Sequence, residues 1–206
     1  MVKTLDILLT PDNIKEKQEV FVATTNPMTS KLKLPTKYNI PMGQVLDQGS
    51  SSMCAVYALA DLLEKAYNLP SFALSRDEVY KQRSNKGDGM SLSDLFNIAS
   101  TNGFTRKEMV PIRVNKYFMV NDIDSVKKAI VSMFGVIVAL PVYNYESSFW
   151  DGLGKPVGYH AVPLVGYDDK GLILKNSWGH LWGNNGHATI PYKDAATAII
   201  EAWTFI

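Results

Sequence analysis

The sequence contains little cysteine and no excess of charge of either sign. Its 206 residues include a single cysteine, Cys54, so no disulfide can form within the chain. Lys and Arg total 21 against 20 Asp and Glu. This balance removes the electrostatic attraction on which nucleic-acid binding and binding to acidic membranes depend. We therefore expect no nucleic-acid partner.

Long apolar runs are also missing. No stretch is long enough to span a bilayer, so no membrane partner is expected. The N-terminus carries Asp6 within its short apolar run and lacks the hydrophobic core and cleavage site of a signal peptide. Together with the lack of a disulfide, these features predict a reducing location, either cytoplasmic or inside a host cell. Composition leaves the oligomeric state open.

The third absence is the residue spacing of a metal site. The three histidines are His160, His180 and His187, and no H-x-x-x-H or C-x-x-C pattern occurs. We therefore expect neither a metal nor another cofactor. His180 and His187 are interpreted as surface or loop residues.

The order of the predicted elements favours an α+β fold with one main domain at 41–206. Residues 1–40 are broken by prolines and are interpreted as an N-terminal arm or a short pro-segment. The predicted helices are 54–67, 75–82, 91–102 and 122–134, and the predicted strands are 136–140, 160–167, 171–175, 187–190 and 198–205. This order predicts a helical lobe that faces an antiparallel β lobe.

Cys54 begins the first of the predicted helices. The N–H groups at a helix N-terminus favour the thiolate form of a cysteine there, and a neighbouring imidazolium would favour it further. The N–H of Cys54 and the side chain of Gln48 could together hold the oxyanion of a tetrahedral intermediate. The hydroxyls of residues 50–52 are predicted N-caps. A lone cysteine is more often a small buried hydrophobe, so Cys54 alone does not establish catalysis.

His160 and Asn176 lie at facing positions of two predicted antiparallel strands. His160 enters one apolar strand, and Asn176 ends the next strand after a tight turn at 168–171. An Asn amide oxygen can accept the imidazole N–H, fix the tautomer and direct the other ring nitrogen toward a thiolate. Trp178 would cover that hydrogen bond. Taken without Cys54, the same residues fit a buried strand histidine and a turn asparagine.

Three segments resemble the papain-like cysteine peptidases. Gln48-Gly49 followed by Cys54 is similar to the family's Gln-Gly-x-x-x-x-Cys pattern. The strand 160–167, His-Ala-Val-Pro-Leu-Val-Gly-Tyr, is similar to its His-Ala-Val-x-x-Val-Gly-Tyr strand. Residues 175–186 resemble its Lys-Asn-Ser-Trp-Gly-x-x-Trp-Gly-x-x-Gly segment. The resemblance covers about residues 40–206 and implies a papain-like α+β fold, with the active site in the cleft between the lobes.

The resemblance also implies roles for particular residues. Cys54 would be the nucleophile, His160 the general base and acid, Asn176 the residue that orients the histidine, and Gln48 the oxyanion donor. A second set would bind substrate, consisting of Gly87, Gly89, Ala161 and Trp178. Glycine permits close approach of an extended substrate backbone, although a plain turn explains Gly87 and Gly89 equally well. Ala161 would border the pocket for the side chain that precedes the cleaved residue.

Some positions depart from the family pattern. Ser51 stands where the family usually has a disulfide-forming cysteine, Ala55 replaces an aromatic residue, and Met53 replaces a small one. The chain from Cys54 to His160 is also shorter than the ~130–150 residues of papain-type enzymes. We expect shortened connecting loops and an open cleft.

The implied function is a cysteine-type peptidase, a hydrolase that forms an acyl-enzyme intermediate on a peptide or protein substrate. Two alternatives stay open. The same residues could serve an amidase, a deamidase or an acyltransferase, or the fold could be a catalytically silent binding protein. All four catalytic positions are filled, which counts against a silent protein.

Overall fold

Helices and strands separate along the chain, as the order of sequence patterns predicts. The computed structural model describes residues 7–21, 29, 31–106 and 109–206. Within these residues the helices are α1 Asp12–Lys15, α2 Cys54–Ala66, α3 Arg76–Lys81, α4 Leu92–Thr101, α5 Ile123–Ser132 and α6 Tyr192–Ala198. The strands are β1 Ile7–Leu8, β2 Tyr38–Asn39, β3 Met90–Ser91, β4 Phe104–Arg106, β5 Met109–Ile112, β6 Tyr117–Met119, β7 Val136–Val142, β8 Gly158–Tyr167, β9 Gly171–Lys175, β10 His187–Pro191 and β11 Glu201–Phe205. The fold is α+β, as predicted.

One antiparallel sheet forms most of the β lobe. Its strand order is β10-β9-β8-β7-β11-β6, and β2 pairs with the C-terminal end of β8. Every residue of β7 is buried, as its run of branched apolar side chains predicts. The β8–β9 turn forms because Asp168 Oδ1 accepts the N–H groups of Lys170 and Gly171, at 2.8 and 3.1 Å.

The helix boundaries follow local capping chemistry. Ser91 accepts the N–H of Asp94 at the start of α4, and Asp122 accepts the N–H of Ser125 at the start of α5. At the start of α3, Ser75 makes no side-chain cap bond, and the Glu78 carboxylate accepts the Thr105 hydroxyl.

The prediction of a strand over 198–205 is correct only from Glu201 onward. Residues 192–198 form α6, which the sequence analysis missed, although this segment is rich in alanine and carries Asp194 in its first turn. Strands β4, β5 and β6 were missed as well. They are short, and much of their surface is only half-buried, so no clear alternation marks them.

The main core lies where the helical lobe meets the sheet. Helix α2 packs against β8 and β7, and Phe96 of α4 stacks on Trp203 of β11 with ring centroids 5.8 Å apart. Gly135 precedes β7 with φ of +115°, and a Cβ at this position would come within 2.9 Å of Leu62 on α2. The positive φ favours glycine at this position, and the contact with Leu62 adds to that preference.

The described part of residues 1–40 lies on the domain surface as an arm. Strand β1 pairs in parallel with β3, and β2 pairs with β8. Phe21 is buried, and its N–H donates to Met119 O at 2.7 Å. Residues 1–6, 22–28 and 30 of the arm lie outside the described residues.

Candidate active site

Four sequence-predicted residues come from three elements that converge between the lobes. Cys54 is the first residue of α2, Gln48 precedes that helix, His160 lies in β8, and Asn176 directly follows β9. The segment before α2 pairs with the segment after Asn176. Gln48 N–H donates to Ser177 O at 2.8 Å, and Gly179 N–H donates to Leu46 O at 3.0 Å. These backbone bonds fix the start of α2 against the β8–β9 hairpin.

The His160 and Asn176 side chains form the predicted hydrogen bond. His160 Nε2 lies 2.8 Å from Asn176 Oδ1, which also accepts the N–H of Ser177 at 2.8 Å. Because this oxygen can only accept, Nε2 carries the ring proton and Nδ1 is left as the acceptor. His160 Nδ1 has no hydrogen-bond partner among the described residues. This tautomer leaves the ring ready to take a proton.

Aromatic rings enclose the imidazole. Trp178 stacks on His160 with centroids 4.6 Å apart and an interplanar angle of 25°, as expected for a residue that covers the hydrogen bond. Phe149 meets the other side of the ring edge-on at 5.7 Å, and Trp182 packs edge-on against Trp178. The sequence analysis missed Phe149, although the aromatic-rich stretch 143–150 was a usable signal.

This enclosure changes the protonation of the histidine. Burial lowers the pKa of His160 from its ordinary 6.5 to about 4, while the hydrogen bond to Asn176 acts in the opposite direction. The ring in this environment is therefore neutral at pH 7, whereas the sequence analysis expected an imidazolium beside Cys54. A charged ring here requires an opposite charge close to it.

The N-terminus of α2 is not capped in the predicted way. The N-cap is Met53, which makes no side-chain cap bond, so the prediction of serine caps at 50–52 is wrong. The Ser51 hydroxyl donates instead to Gln48 O at 2.7 Å, which shapes the turn before the helix. As the first residue of α2, Cys54 lies in the field of the first helical turn.

The Gln48 side chain ties the two lobes together. Its Nε2 donates to Ser51 O at 2.7 Å, and its Oε1 accepts the Ser177 hydroxyl at 2.5 Å. An amide NH₂ has two donors, and the bond to Ser51 uses one of them. The second N–H can therefore serve an oxyanion beside the N–H of Cys54.

The expected open cleft is not present. Cys54 is 1% exposed and His160 is 0% exposed. Strand β1 of the arm lies against β8 and pairs with β3, the strand that directly follows Gly87-Asp88-Gly89. The arm therefore lies against the strand that follows Gly87 and Gly89, two of the residues to which the resemblance assigns substrate binding.

The structure locates the predicted substrate residues without testing their role. Gly87 N–H donates to Asn85 Oδ1 at 3.2 Å, and Gly89 N–H donates to the Tyr80 hydroxyl at 2.9 Å. Gly89 has φ of +84°, a conformation that favours glycine. Ala161 is buried opposite Ala139 on β7. Substrate binding by Gly87, Gly89, Ala161 and Trp178 stays a prediction.

A buried charge network lies two turns along α2 from Cys54, and the sequence analysis missed it. Lys175 Nζ donates to Asp61 Oδ2 at 2.6 Å and to Gln44 O at 2.9 Å. Arg76 pairs with Asp61 at 2.9 Å and with Glu64 at 3.0 Å. Because Lys175 immediately precedes Asn176, the network joins α2 to the strand that presents Asn176.

The part of the chain that the structure describes contains no group of three or more His, Cys, Asp and Glu side chains that could hold a metal ion. None of its helices is long and apolar enough to cross a membrane.

Comparison with known proteins gives related sequences and similar structures. An uncharacterized peptidase C1-like protein of Acanthamoeba polyphaga mimivirus is 35% identical over 86 residues, covering 36% of this chain and 28% of the relative. The viral cathepsin of Adoxophyes honmai nucleopolyhedrovirus is 24% identical over 186 residues, covering 73% of this chain and 54% of the relative. The chain thus spans about half or less of these curated relatives. Xylellain, a cysteine protease from Xylella fastidiosa, has a TM-score of 0.79 at 22% identity, covering 100% of this chain and 97% of xylellain.

The family assignment comes from a match over most of the chain. The family profile described as papain family cysteine protease matches residues 62–204. This range includes His160 and Asn176 but begins after Cys54 and Gln48, whose placement comes from the structure alone. The fold has the papain-like shape that the sequence motifs predict. On this match, the chain belongs to the papain family of cysteine proteases.

Proposed function

We propose that this chain is a cysteine-type peptidase in which Cys54, His160, Asn176 and Gln48 carry out the reaction. The observation that carries the proposal is the bond between His160 Nε2 and Asn176 Oδ1, which leaves Nδ1 as a proton acceptor. Cys54 supplies the matching thiol at a helix N-terminus whose N-cap makes no side-chain bond.

Each step assigns the proton and the electron pair to a named atom. His160 Nδ1 takes the proton of the Cys54 thiol, and Sγ attacks the substrate carbonyl carbon. The N–H of Cys54 and the second Nε2–H of Gln48 hold the resulting oxyanion. The protonated ring then gives its proton to the leaving amine as the C–N bond breaks. Water hydrolyses the thioester and regenerates the thiol.

The low pKa of His160 is consistent with this order of proton transfers. A neutral ring at pH 7 is the form that accepts a proton, and the imidazolium that results lies next to a newly formed thiolate. The stacked Trp178 excludes water from the ring and so strengthens that attraction.

We further propose that the N-terminal arm is a short pro-segment that keeps the groove closed. The arm is held by the β1–β3 pairing and by Ile7, which is 3% exposed. An open surface pocket of about 390 Å³ lies between parts of the arm, including Leu8 and Ile14, and α4, so this side of the arm is not in full contact with the domain. An incompletely packed segment can separate from the domain without global unfolding.

One experiment on the full chain tests both proposals. Ile7→Asp buries a charge and should release the arm, whereas Leu8→Asp alters a residue that is 40% exposed and serves as the matched control. We expect Ile7→Asp to react with iodoacetamide at Cys54 and to cleave fluorescent casein at least about tenfold faster than the wild type or Leu8→Asp. Adding Cys54→Ala to Ile7→Asp should abolish both signals while the circular dichroism spectrum is retained.

The outcomes separate the alternatives. Casein cleavage that persists without Cys54 would refute the peptidase assignment. Rapid labelling without casein cleavage, combined with acyl transfer to hydroxylamine, would indicate an amidase or acyltransferase. Slow labelling in every variant would indicate a silent binding protein. Equal rates in Ile7→Asp and Leu8→Asp would contradict the pro-segment proposal.

A further inference from the structure

An open pocket of about 700 Å³ lies beside the first turn of α2 on the helical lobe. Its walls come from Met53 and Tyr57 at the start of α2, from residues 72–78 around the start of α3, and from Arg106 and Met109 of the β4–β5 hairpin. None of the proposed catalytic residues belongs to this lining. The pocket is therefore separate from the active-site cluster.

Phe72 lines this pocket in a backbone conformation that is unusual for phenylalanine. Its φ is +67°, and the residue is 63% exposed. Two bonds to one carboxylate hold the backbone: Phe72 N–H donates to Glu64 Oε2 at 3.1 Å, and Leu74 N–H donates to Glu64 Oε1 at 2.9 Å. Strain of this kind persists only where surrounding contacts impose it, and it is concentrated at ligand sites. The exposed ring is therefore a candidate contact for a ligand.

Hydrogen-bond donors around the pocket lack partners within the part of the chain that the structure describes. Arg106 is partly buried, and its guanidinium makes neither a hydrogen bond nor an ion pair there. The hydroxyls of Tyr57 and Ser75 make no hydrogen bond to the described residues either. The Arg76 side chain is 2% exposed and belongs to the charge network, but its Nε has no partner among them. Buried or partly buried donors normally find acceptors, so this set favours a ligand that supplies them.

The same pocket carries a carboxylate without a cation. Asp77 is exposed and forms no ion pair with another described residue, whereas the Glu78 carboxylate accepts the Thr105 hydroxyl. Burial raises the pKa of Tyr57, the Arg76 charge lowers it, and the Asp77 charge raises it. The Tyr57 hydroxyl is therefore protonated at neutral pH and can donate a hydrogen bond.

These groups together describe the chemistry of an occupant. Arg106 and Asp77 form no ion pair with each other, so the pocket offers one positive and one negative charge to a ligand. The ring of Phe72 and the thioethers of Met53 and Met109 suit an aromatic group. A molecule that joins a carboxylate, an ammonium and an aromatic ring within a few bonds is an aromatic amino acid.

We propose that this pocket binds a free aromatic amino acid such as phenylalanine. The ligand carboxylate accepts hydrogen bonds from Arg106 and from the hydroxyls of Tyr57 and Ser75. The ligand ammonium faces Asp77, and the ring packs against Phe72. This inference goes beyond the proposed peptidase function and does not depend on it, because no catalytic residue lines the pocket.

Titration calorimetry of the full chain tests the ligand chemistry. We expect L-phenylalanine to bind with a dissociation constant of about 1 mM or lower. Three partial ligands should each bind at least about tenfold more weakly: 3-phenylpropionate lacks the ammonium, 2-phenylethylamine lacks the carboxylate, and L-alanine lacks the ring. Lack of any phenylalanine binding at about 10 mM overturns the inference. It is also overturned if L-alanine or 3-phenylpropionate binds as tightly as phenylalanine.

Variants of the full chain test the location of the site. Arg106→Gln should weaken phenylalanine binding at least about tenfold, and Asp77→Asn should weaken it about threefold without weakening 3-phenylpropionate. Phe72→Gly should weaken it about tenfold while the circular dichroism spectrum is retained, because glycine adopts the positive φ without strain. Arg113→Gln changes an exposed arginine outside the pocket and is the matched control, which should bind as the wild type does.

The variants also show how the assignment fails. Phenylalanine binding that is unchanged in Arg106→Gln and in Phe72→Gly would mean that the amino acid binds elsewhere, and would overturn the inference. An equal loss of affinity in Arg106→Gln and Arg113→Gln would mean that general charge, and not this pocket, attracts the ligand. Because Arg106 is only partly buried, Arg106→Gln keeps the test decisive even if Phe72→Gly fails to fold.

Discussion

Helix α2 has a different kind of buried polar cluster at each end of its buried face. At its N-terminus, the segment that leads into α2 is bonded through Gln48 to Ser177, next to the His160–Asn176 pair, where several polar atoms lack hydrogen bonds within the described residues: His160 Nδ1, Asn176 Nδ2 and Trp178 Nε1. Two turns later, Asp61 and Glu64 accept from Arg76, from Lys175 and from backbone N–H groups. In this second cluster, Arg76 Nε is the atom without a partner in the described part of the chain.

The difference separates a reactive cluster from a structural one. Buried polar atoms normally find partners, because an unpaired buried donor or acceptor is costly. A cluster that retains unpaired atoms is therefore a candidate for binding something else during function. The charge network uses almost all of its hydrogen-bonding capacity internally and fixes α2 against β9. The active-site geometry depends on this second cluster for its support.

The largest predicted effect comes from breaking the charge network. Asp61→Ala leaves Lys175 and Arg76 without a carboxylate that both of them contact, and we expect the free energy of unfolding to fall by about 3–5 kcal/mol. Urea denaturation measures the change. The control, Asp124→Ala, removes the exposed partner of Lys128 in an i,i+4 ion pair and should cost less than about 1 kcal/mol. Equal losses in the two variants would show that the buried network contributes no more to the free energy of unfolding than a surface ion pair does.

The second prediction concerns the pH dependence of the active-site cluster. Because burial lowers the pKa of His160 to about 4, the unfolded chain binds a proton between pH 6.5 and 4 that the folded chain does not. Stability due to this ring is therefore fully present above pH 6.5 and falls by about 3 kcal/mol as the pH drops to 4.

Comparison of Cys54→Ala with Cys54→Ala/His160→Gln isolates this contribution, since neither protein has a thiolate to pair with the ring. The single variant should lose more stability on acidification than the double variant. An imidazole resonance in the single variant that titrates near pH 6.5 by NMR would contradict the assignment of a ring buried in apolar surroundings.

The smallest predicted effect on stability comes from Asn176→Ala. It removes the acceptor of both His160 Nε2–H and Ser177 N–H, and we expect a loss of about 1–3 kcal/mol. In the arm-released Ile7→Asp chain, kcat should also fall, because the ring is no longer held in one tautomer. The ¹⁵N shifts of the imidazole should report a mixture of tautomers. Asn97→Ala, on the exposed side of α4, should leave stability, rate and shifts unchanged, and the proposal fails if Asn176→Ala does the same.

Local chemistry explains which predictions from the sequence were correct. The Asp168 turn and the buried strand β7 each depend on neighbours within a few residues, so the sequence contains the necessary information. The hydrogen bond between His160 and Asn176 was predictable because a tight hairpin sets the register of β8 against β9.

The missed features depend on residues far apart in the chain. The Asp61–Lys175 pair joins positions 114 residues apart, and the Thr10–Glu201 bond joins positions 191 residues apart. No local periodicity marks such pairs. The serine caps at 50–52 failed for a related reason, since Gln48 and Ser177 organise the turn before α2 across the lobe interface.

By itself, the sequence determined the α+β order of the elements, the presence of a thiol, an imidazole and an amide in the chain order of a cysteine-nucleophile site, and the absence of a disulfide within the chain. Only the tertiary structure decided that the imidazole is buried and neutral, that the N-terminal segment pairs with β3, and that Glu201 is buried against Thr10. Composition and spacing specify which groups are available. Their protonation and their partners depend on burial and on contacts that form only when distant segments pack together.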